Sequence, residues 1–135
     1  MPYQLATVSL DTMKVFVMLG AINMAIGVIL GAFGAHGLER IISADMIKVF
    51  QTGVQYHIYH ALGLLMVAVL LIPYPHASGL RTGGWIMFAG IILFSGSLYL
   101  LALTGLKFFG PITPLGGVCF IVAWIWIFWA MLKEF

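Results

Sequence analysis

Charge is what this chain has least of. Only ten of its 135 residues are Lys, Arg, Asp or Glu, 7% of the total, where a soluble domain carries about a quarter. Ten charges cannot coat a globule of this size, so a water-soluble fold is excluded. The net charge of +2 is small and dispersed, which removes the basic surface that nucleic-acid binding needs. There is one cysteine, Cys119, in an apolar run, so no internal disulfide forms and nothing is said about redox compartment. The glycine-rich stretches lack the strand context and lysine of a phosphate-binding loop, which leaves nucleotide binding without support. No serine pairs with a histidine and a carboxylate in a pattern that suggests hydrolysis. The sequence gives no sign of an enzyme or of a cofactor.

What is present is apolar. Hydrophobic residues make up 63% of the chain, and the mean hydropathy is +1.13. After a mixed N-terminal segment, 1–12, four continuous apolar runs follow at about 13–35, 50–72, 83–103 and 113–132. Each has roughly 20 residues, enough to cross a hydrocarbon core of about 30 Å as a helix. Continuous rather than alternating runs argue against a membrane β-barrel. The first run is too long for the 7–15-residue core of a secretory signal, so it reads as a retained helix. The fold class is therefore an all-α integral membrane protein, a four-transmembrane-helix up-down-up-down bundle in one domain, 13–135.

The connectors are short. Residues 39–48 hold four of the ten charges, with Ser43 as a helix cap. Pro73-Tyr74-Pro75 ends the second helix, because proline lacks an amide donor and restrains the residue before it. Thr113-Pro114 reads as a hydroxyl cap followed by proline in the first turn of the fourth helix. Lys14, Arg81 and Lys133 lie on one side and Arg40, Lys48 and Lys107 on the other, so the positive-inside rule does not orient the chain.

Small residues line up on single helix faces. Gly20, Asn23, Gly27, Gly31 and Gly34 fall in one stripe about 80° wide. Gly83, Gly90, Ser97 and Thr104 repeat at seven-residue spacing on the third helix, and Gly116, Ala123 and Ala130 on the fourth. Such seams let backbones approach where no hydrophobic effect drives helices together. Asn23, near mid-membrane, needs a partner, and Ser95, Ser97 or Tyr99 are candidates. Trp85, Trp124, Trp126, Trp129, Tyr74 and Phe135 read mostly as interfacial belts, with Trp124 and Trp126 deeper.

The polar groups that stand out are His36, Glu39, Arg40, Tyr56, His57 and His60. Ionisable groups inside an apolar span are costly and usually face protein or a wet cavity. With the second helix starting near Phe50, all three histidines fall towards one membrane face. On that helix Gly53, Tyr56, His57 and His60 share the inward half, and Val54, Ile58, Leu62 and Leu65 the half facing lipid. Four readings stay open: a structural seam, a haem or metal site using neutral imidazoles, proton or small-solute conduction, and a lipid or partner site.

Gly31-Ala-Phe-Gly-Ala-His36-Gly-Leu38, Gln51-Thr-Gly-Val-Gln-Tyr56 with His60-Ala-Leu62, Phe94-Ser-Gly-Ser-Leu-Tyr99 with Ala102-Leu-Thr104, and Ile112-Thr-Pro-Leu-Gly-Gly117 resemble four blocks of one family. It is the YgdD-type family of small membrane proteins, domain of unknown function 423. Ala123-Trp124 stands where that family has Gly-Trp, and His57 is at a position the pattern does not fix, which gives it less weight than His36 or His60. The resemblance implies a four-helix protein of the bacterial plasma membrane with both termini cytoplasmic. It implies no established reaction. It carries an expectation of a structural or accessory role in membrane integrity, with lipids, a membrane-protein partner or a homo-oligomer as contacts.

Overall fold

The computed structural model describes residues 2–134, with side chains described from Leu10 onward. Met1, and Phe135 with the belt position expected for it, lie outside the described residues. The described chain is all-α, with α1 at Pro2–His36, α2 at Ala44–Leu70, α3 at Ser78–Gly90, α4 at Gly96–Thr104 and α5 at Ile112–Glu134. A π-helical turn, Ile91–Ser95, joins α3 to α4 into one continuous span. Four spans, Leu10–His36, Ala44–Leu70, Ser78–Thr104 and Lys107–Glu134, are long and apolar enough to cross a membrane.

Helix boundaries follow local chemistry. α1 begins at Pro2 rather than near Met13, because proline is tolerated in a first turn and no glycine or further proline occurs before Gly20. Ser43 caps α2, its hydroxyl accepting the Met46 amide at 3.3 Å, with Asp45 in the first turn complementing the dipole. α2 therefore starts at Ala44, six residues before Phe50. Gly105 ends α4 in the left-handed region at φ 69°, where a side chain would be strained. Thr113 does not cap α5. The helix has already begun at Ile112, and the Thr113 hydroxyl instead meets the Ser97 hydroxyl at 2.7 Å.

The bundle is two antiparallel pairs, α1 with α2 and α5 with the third span, joined where α2 also packs on that span. α1 lies along α2, with Gly20, Gly27, Gly31 and Gly34 against Leu65, Ile58, Val54 and Phe50. Steps of seven, four and three residues up α1 are matched by steps of seven, four and four down α2. This corrects the expectation that Val54, Ile58 and Leu65 face lipid: they are the knobs that fill the glycine stripe. α5 pairs with the third span in the same manner, Gly83 against Ile127 and Gly90 against Phe120. The closest approach is Gly116, whose Cα faces the backbone of Phe94 within the π turn. The same register sets residue 112 opposite 98, so α5 offers nothing opposite Thr104. That residue is exposed, and its hydroxyl donates to the Leu100 carbonyl of its own helix. It is not part of a packing seam.

Two apolar clusters form the core. One, near the termini, includes Phe16, Leu64, Val67, Leu80, Met87, Phe120 and Ile127. The other, near the opposite face, includes Leu38, Phe50, Val54 and Ala102. Buried polar side chains, Asn23, His57, His60, Ser95 and Ser97, lie among them.

Candidate functional site

Asn23 is thirteen residues from either end of its span, Leu10–His36, and His57 is thirteen from either end of Ala44–Leu70. At 1.5 Å per residue each lies about 20 Å from both ends, at the middle of the bilayer. The two meet there: Asn23 Oδ1 is 2.9 Å from His57 Nε2. The Asn23 amide donates to the Leu19 carbonyl at 2.8 Å, which turns its oxygen towards the ring. Nε2 of His57 therefore donates, and Nδ1 of the neutral imidazole is left to accept the Tyr99 hydroxyl proton at 2.9 Å. One ring thus ties α1, α2 and α4 together.

One turn on, His60 makes a second junction. Its Nδ1 donates to the Tyr56 carbonyl at 2.7 Å, and its Nε2 accepts the Trp124 indole N–H at 3.1 Å. The ring stacks on Phe120 with centroids 3.5 Å apart and planes within 8°. This joins α2 to α5 through the opposite tautomer from that of His57. Both rings are buried, and all four ring nitrogens are engaged. A third tie is the Ser95 hydroxyl, which donates to the Gly53 carbonyl at 2.7 Å and fixes the π turn against α2.

The matches to known proteins bear on this arrangement. The family described as "Protein of unknown function (DUF423)" matches residues 30–117. The chain belongs to the DUF423 family. Within that match lie His57, His60, Ser95, Tyr99 and Gly116 of this DUF423 protein, while Asn23 and Trp124 lie outside it. It is 57% identical to the UPF0382 membrane protein YwdK of Bacillus subtilis over 121 residues, covering 90% of this chain and 98% of that one. It is 49% identical to the UPF0382 membrane protein SSP2132 of Staphylococcus saprophyticus, with 84% and 92% covered. With SAB0533 of Staphylococcus aureus the identity is 47%, with 90% and 98% covered. No solved structure matches. The DUF423 chain is thus a membrane protein of a family without an assigned activity.

The expected polar cluster separates into two parts. His36, Glu39 and Arg40 are exposed at the end of α1 and the short 3-10 turn that follows. α1 stays helical to His36, at the far end of its span from the mid-membrane histidines. Tyr56 is 39% exposed, its ring against Phe94 and its carbonyl on His60. His57, given less weight than the other two histidines, is hydrogen-bonded to two other helices. Of the packing residues, Gly20, Gly27, Gly31, Gly34, Gly90 and Gly116 sit at helix contacts, and Ala123 is fully buried. Asn23 pairs with His57 rather than with Ser95, Ser97 or Tyr99, and Ser97 donates to the Phe94 carbonyl at 2.9 Å.

Trp124 was absent from the expected site. Its signal was available, since an indole N–H inside the bilayer seeks an acceptor and Trp124 lies midway along α5. It is half-buried rather than core, and Trp126 is exposed. Trp124→Phe is expected to lower stability by about 1 kcal/mol, the scale of one interhelical bond. A circular-dichroism melt in detergent measures it.

Chemically the arrangement is closed. A neutral imidazole binds metal through its unprotonated nitrogen, and here Tyr99 occupies that position on His57 and Trp124 occupies it on His60. Among the described residues no group of three His, Cys, Asp or Glu is placed to hold a metal ion. Among the described residues no carboxylate is hydrogen-bonded to either buried ring. A cleft of about 460 Å³ lies beside His60, lined by Tyr56, Phe94, Phe120, Ile121 and Trp124 and open at the bundle surface.

Proposed function

We propose that the protein is a non-enzymatic membrane component with a structural or accessory role, and that His57 and His60 serve its assembly rather than chemistry. The observation that carries this is the engagement of all four imidazole nitrogens, three by groups from three other helices and the fourth by the Tyr56 carbonyl of α2 itself. In hydrocarbon, polar side chains bonded across helices fix register and orientation. A catalytic or conducting histidine needs a nitrogen free to meet substrate or water. The apolar cleft beside His60 suits lipid chains, and Lys133, 5.8 Å over the Trp129 ring, suits a headgroup boundary. With four spans both termini share one side. Family resemblance favours the plasma membrane with that side cytoplasmic, which C-terminal reporter fusions test.

Proton conduction is the rival, because a histidine chain across a membrane is a recognised relay. Reconstitution separates the two. Liposomes holding a trapped pH dye should discharge an imposed pH gradient no faster with the protein than without it. A protein-dependent flux abolished by His57→Ala would replace the structural reading with a carrier or channel.

A further inference from the structure

On α2 a second set of polar residues turns outward. Lys48, Thr52, Gln55 and Tyr59 recur at intervals of four, three and four residues, which aligns them on one face. All four are exposed, away from α1 and from the junctions at His57 and His60. Gln55 and Tyr59 lie two residues either side of His57, so they sit about 3 Å along the axis from the helix midpoint. The outward faces of the other spans at comparable depth are apolar: Ile22 and Ile26 on α1, Ile92 in the π turn, Ile121 and Ile125 on α5.

The hydrogen-bond account of this face does not close. Gln55 Nε2 donates one proton to the Tyr59 hydroxyl at 2.6 Å. Its second N–H, its carbonyl oxygen and the Tyr59 O–H proton have no partner among the described residues. Lipid tails offer none, and unsatisfied polar groups in hydrocarbon are costly. The stripe needs a partner whatever the protein does in the membrane.

We infer that the outward face of α2 is the contact between two copies of this chain, related by a two-fold axis normal to the membrane. The groups on it are self-complementary. About such an axis Gln55 meets its own copy, and two primary amides pair reciprocally, each carbonyl accepting from the other's N–H. Asp45 and Lys48 are one turn apart at the headgroup end of the same face, both exposed. Each carboxylate faces the ammonium of the other copy, so the charges also match. Thr52 between them folds its hydroxyl back onto the Lys48 carbonyl at 3.0 Å. It is small and satisfied, which allows close approach. Below Tyr59 the face continues as Leu62, 52% exposed.

Leu62→Cys in a Cys119→Ser background keeps the polar stripe intact and reports on this contact. Mild oxidation of the full chain in native membranes should give a disulfide-linked dimer. Ile29→Cys and Ile125→Cys, on the outward faces of α1 and α5, should stay monomeric. Adding Gln55→Leu and Tyr59→Phe should reduce the dimer about ten-fold, equivalent to 1.4 kcal/mol, without lowering thermal stability. Sedimentation of the unmodified chain in detergent should give two copies per particle. A monomer at all concentrations, equal crosslinking at all three positions, or a crosslinked product containing a different protein would each overturn the proposal.

Discussion

Gly116→Ala is expected to destabilise the bundle by about 2–3 kcal/mol, at the upper end of overpacking costs. A Cβ at this position would overlap the backbone nitrogen, the Cα and the Cβ of Phe94. Side chains can rotate away from an added methyl group; a backbone cannot. The π turn is also held from behind, because Ser95 is bonded to the Gly53 carbonyl on α2. Relief therefore requires α5 to move away from the third span as a unit, which opens the contacts at Gly90 and Gly83. Gly90→Ala should cost less, because the obstacle there is the Phe120 ring and the Cys119 Cβ. Gly96→Ala is the control. Nothing lies within 4 Å of a Cβ at that site, and alanine is the better helix former by about 1 kcal/mol. Melting of the three variants in one detergent should rank them Gly116, Gly90, Gly96 in decreasing damage. A Gly116→Ala protein as stable as the parent would mean that α5 does not rest on the π turn.

This ordering shows what hydropathy can and cannot reveal in a membrane protein. The four spans were legible because length and apolarity alone define them. The α1 glycine stripe was legible because its period is that of a helix. The surface meeting that stripe was not. Val54, Ile58 and Leu65 are as apolar as lipid tails, so composition cannot tell a residue packed on another helix from one dissolved in oil. Apolarity therefore places them outward, and Tyr56, His57 and His60 inward. The depth of the histidines was missed for a separate reason. Asp45 and Lys48 looked like loop charges, whereas they decorate the first turns of α2, and starting that helix six residues earlier moves His57 from an end to the middle. Gln55 and Tyr59 were left out of the expected site because neither residue type by itself marks one. What marks them is depth together with exposure, and only coordinates supply both.

His57→Ala should produce the other large effect, about 2–4 kcal/mol of lost stability. Two interhelical bonds disappear, each contributing about 0.6–1.7 kcal/mol in membranes, and the ring leaves a void among Asn23, Gly27 and Tyr99. The partners are then stranded: Asn23 Oδ1 loses its only donor from another helix, and the Tyr99 hydroxyl loses its acceptor. Leaving a buried polar group unmatched is more damaging than removing both members of a pair. Asn23→Leu combined with His57→Leu should accordingly be less destabilising than the sum of the two single changes, and Tyr99→Phe should cost little once His57 is gone. A double-mutant cycle on thermal unfolding in detergent reads this coupling directly. Additive losses across the cycle would show that the three side chains are neighbours without being a unit. His57 would then be filling space at the centre of the bilayer, and the case for histidines as the pins of this bundle would rest on His60 and Trp124 alone.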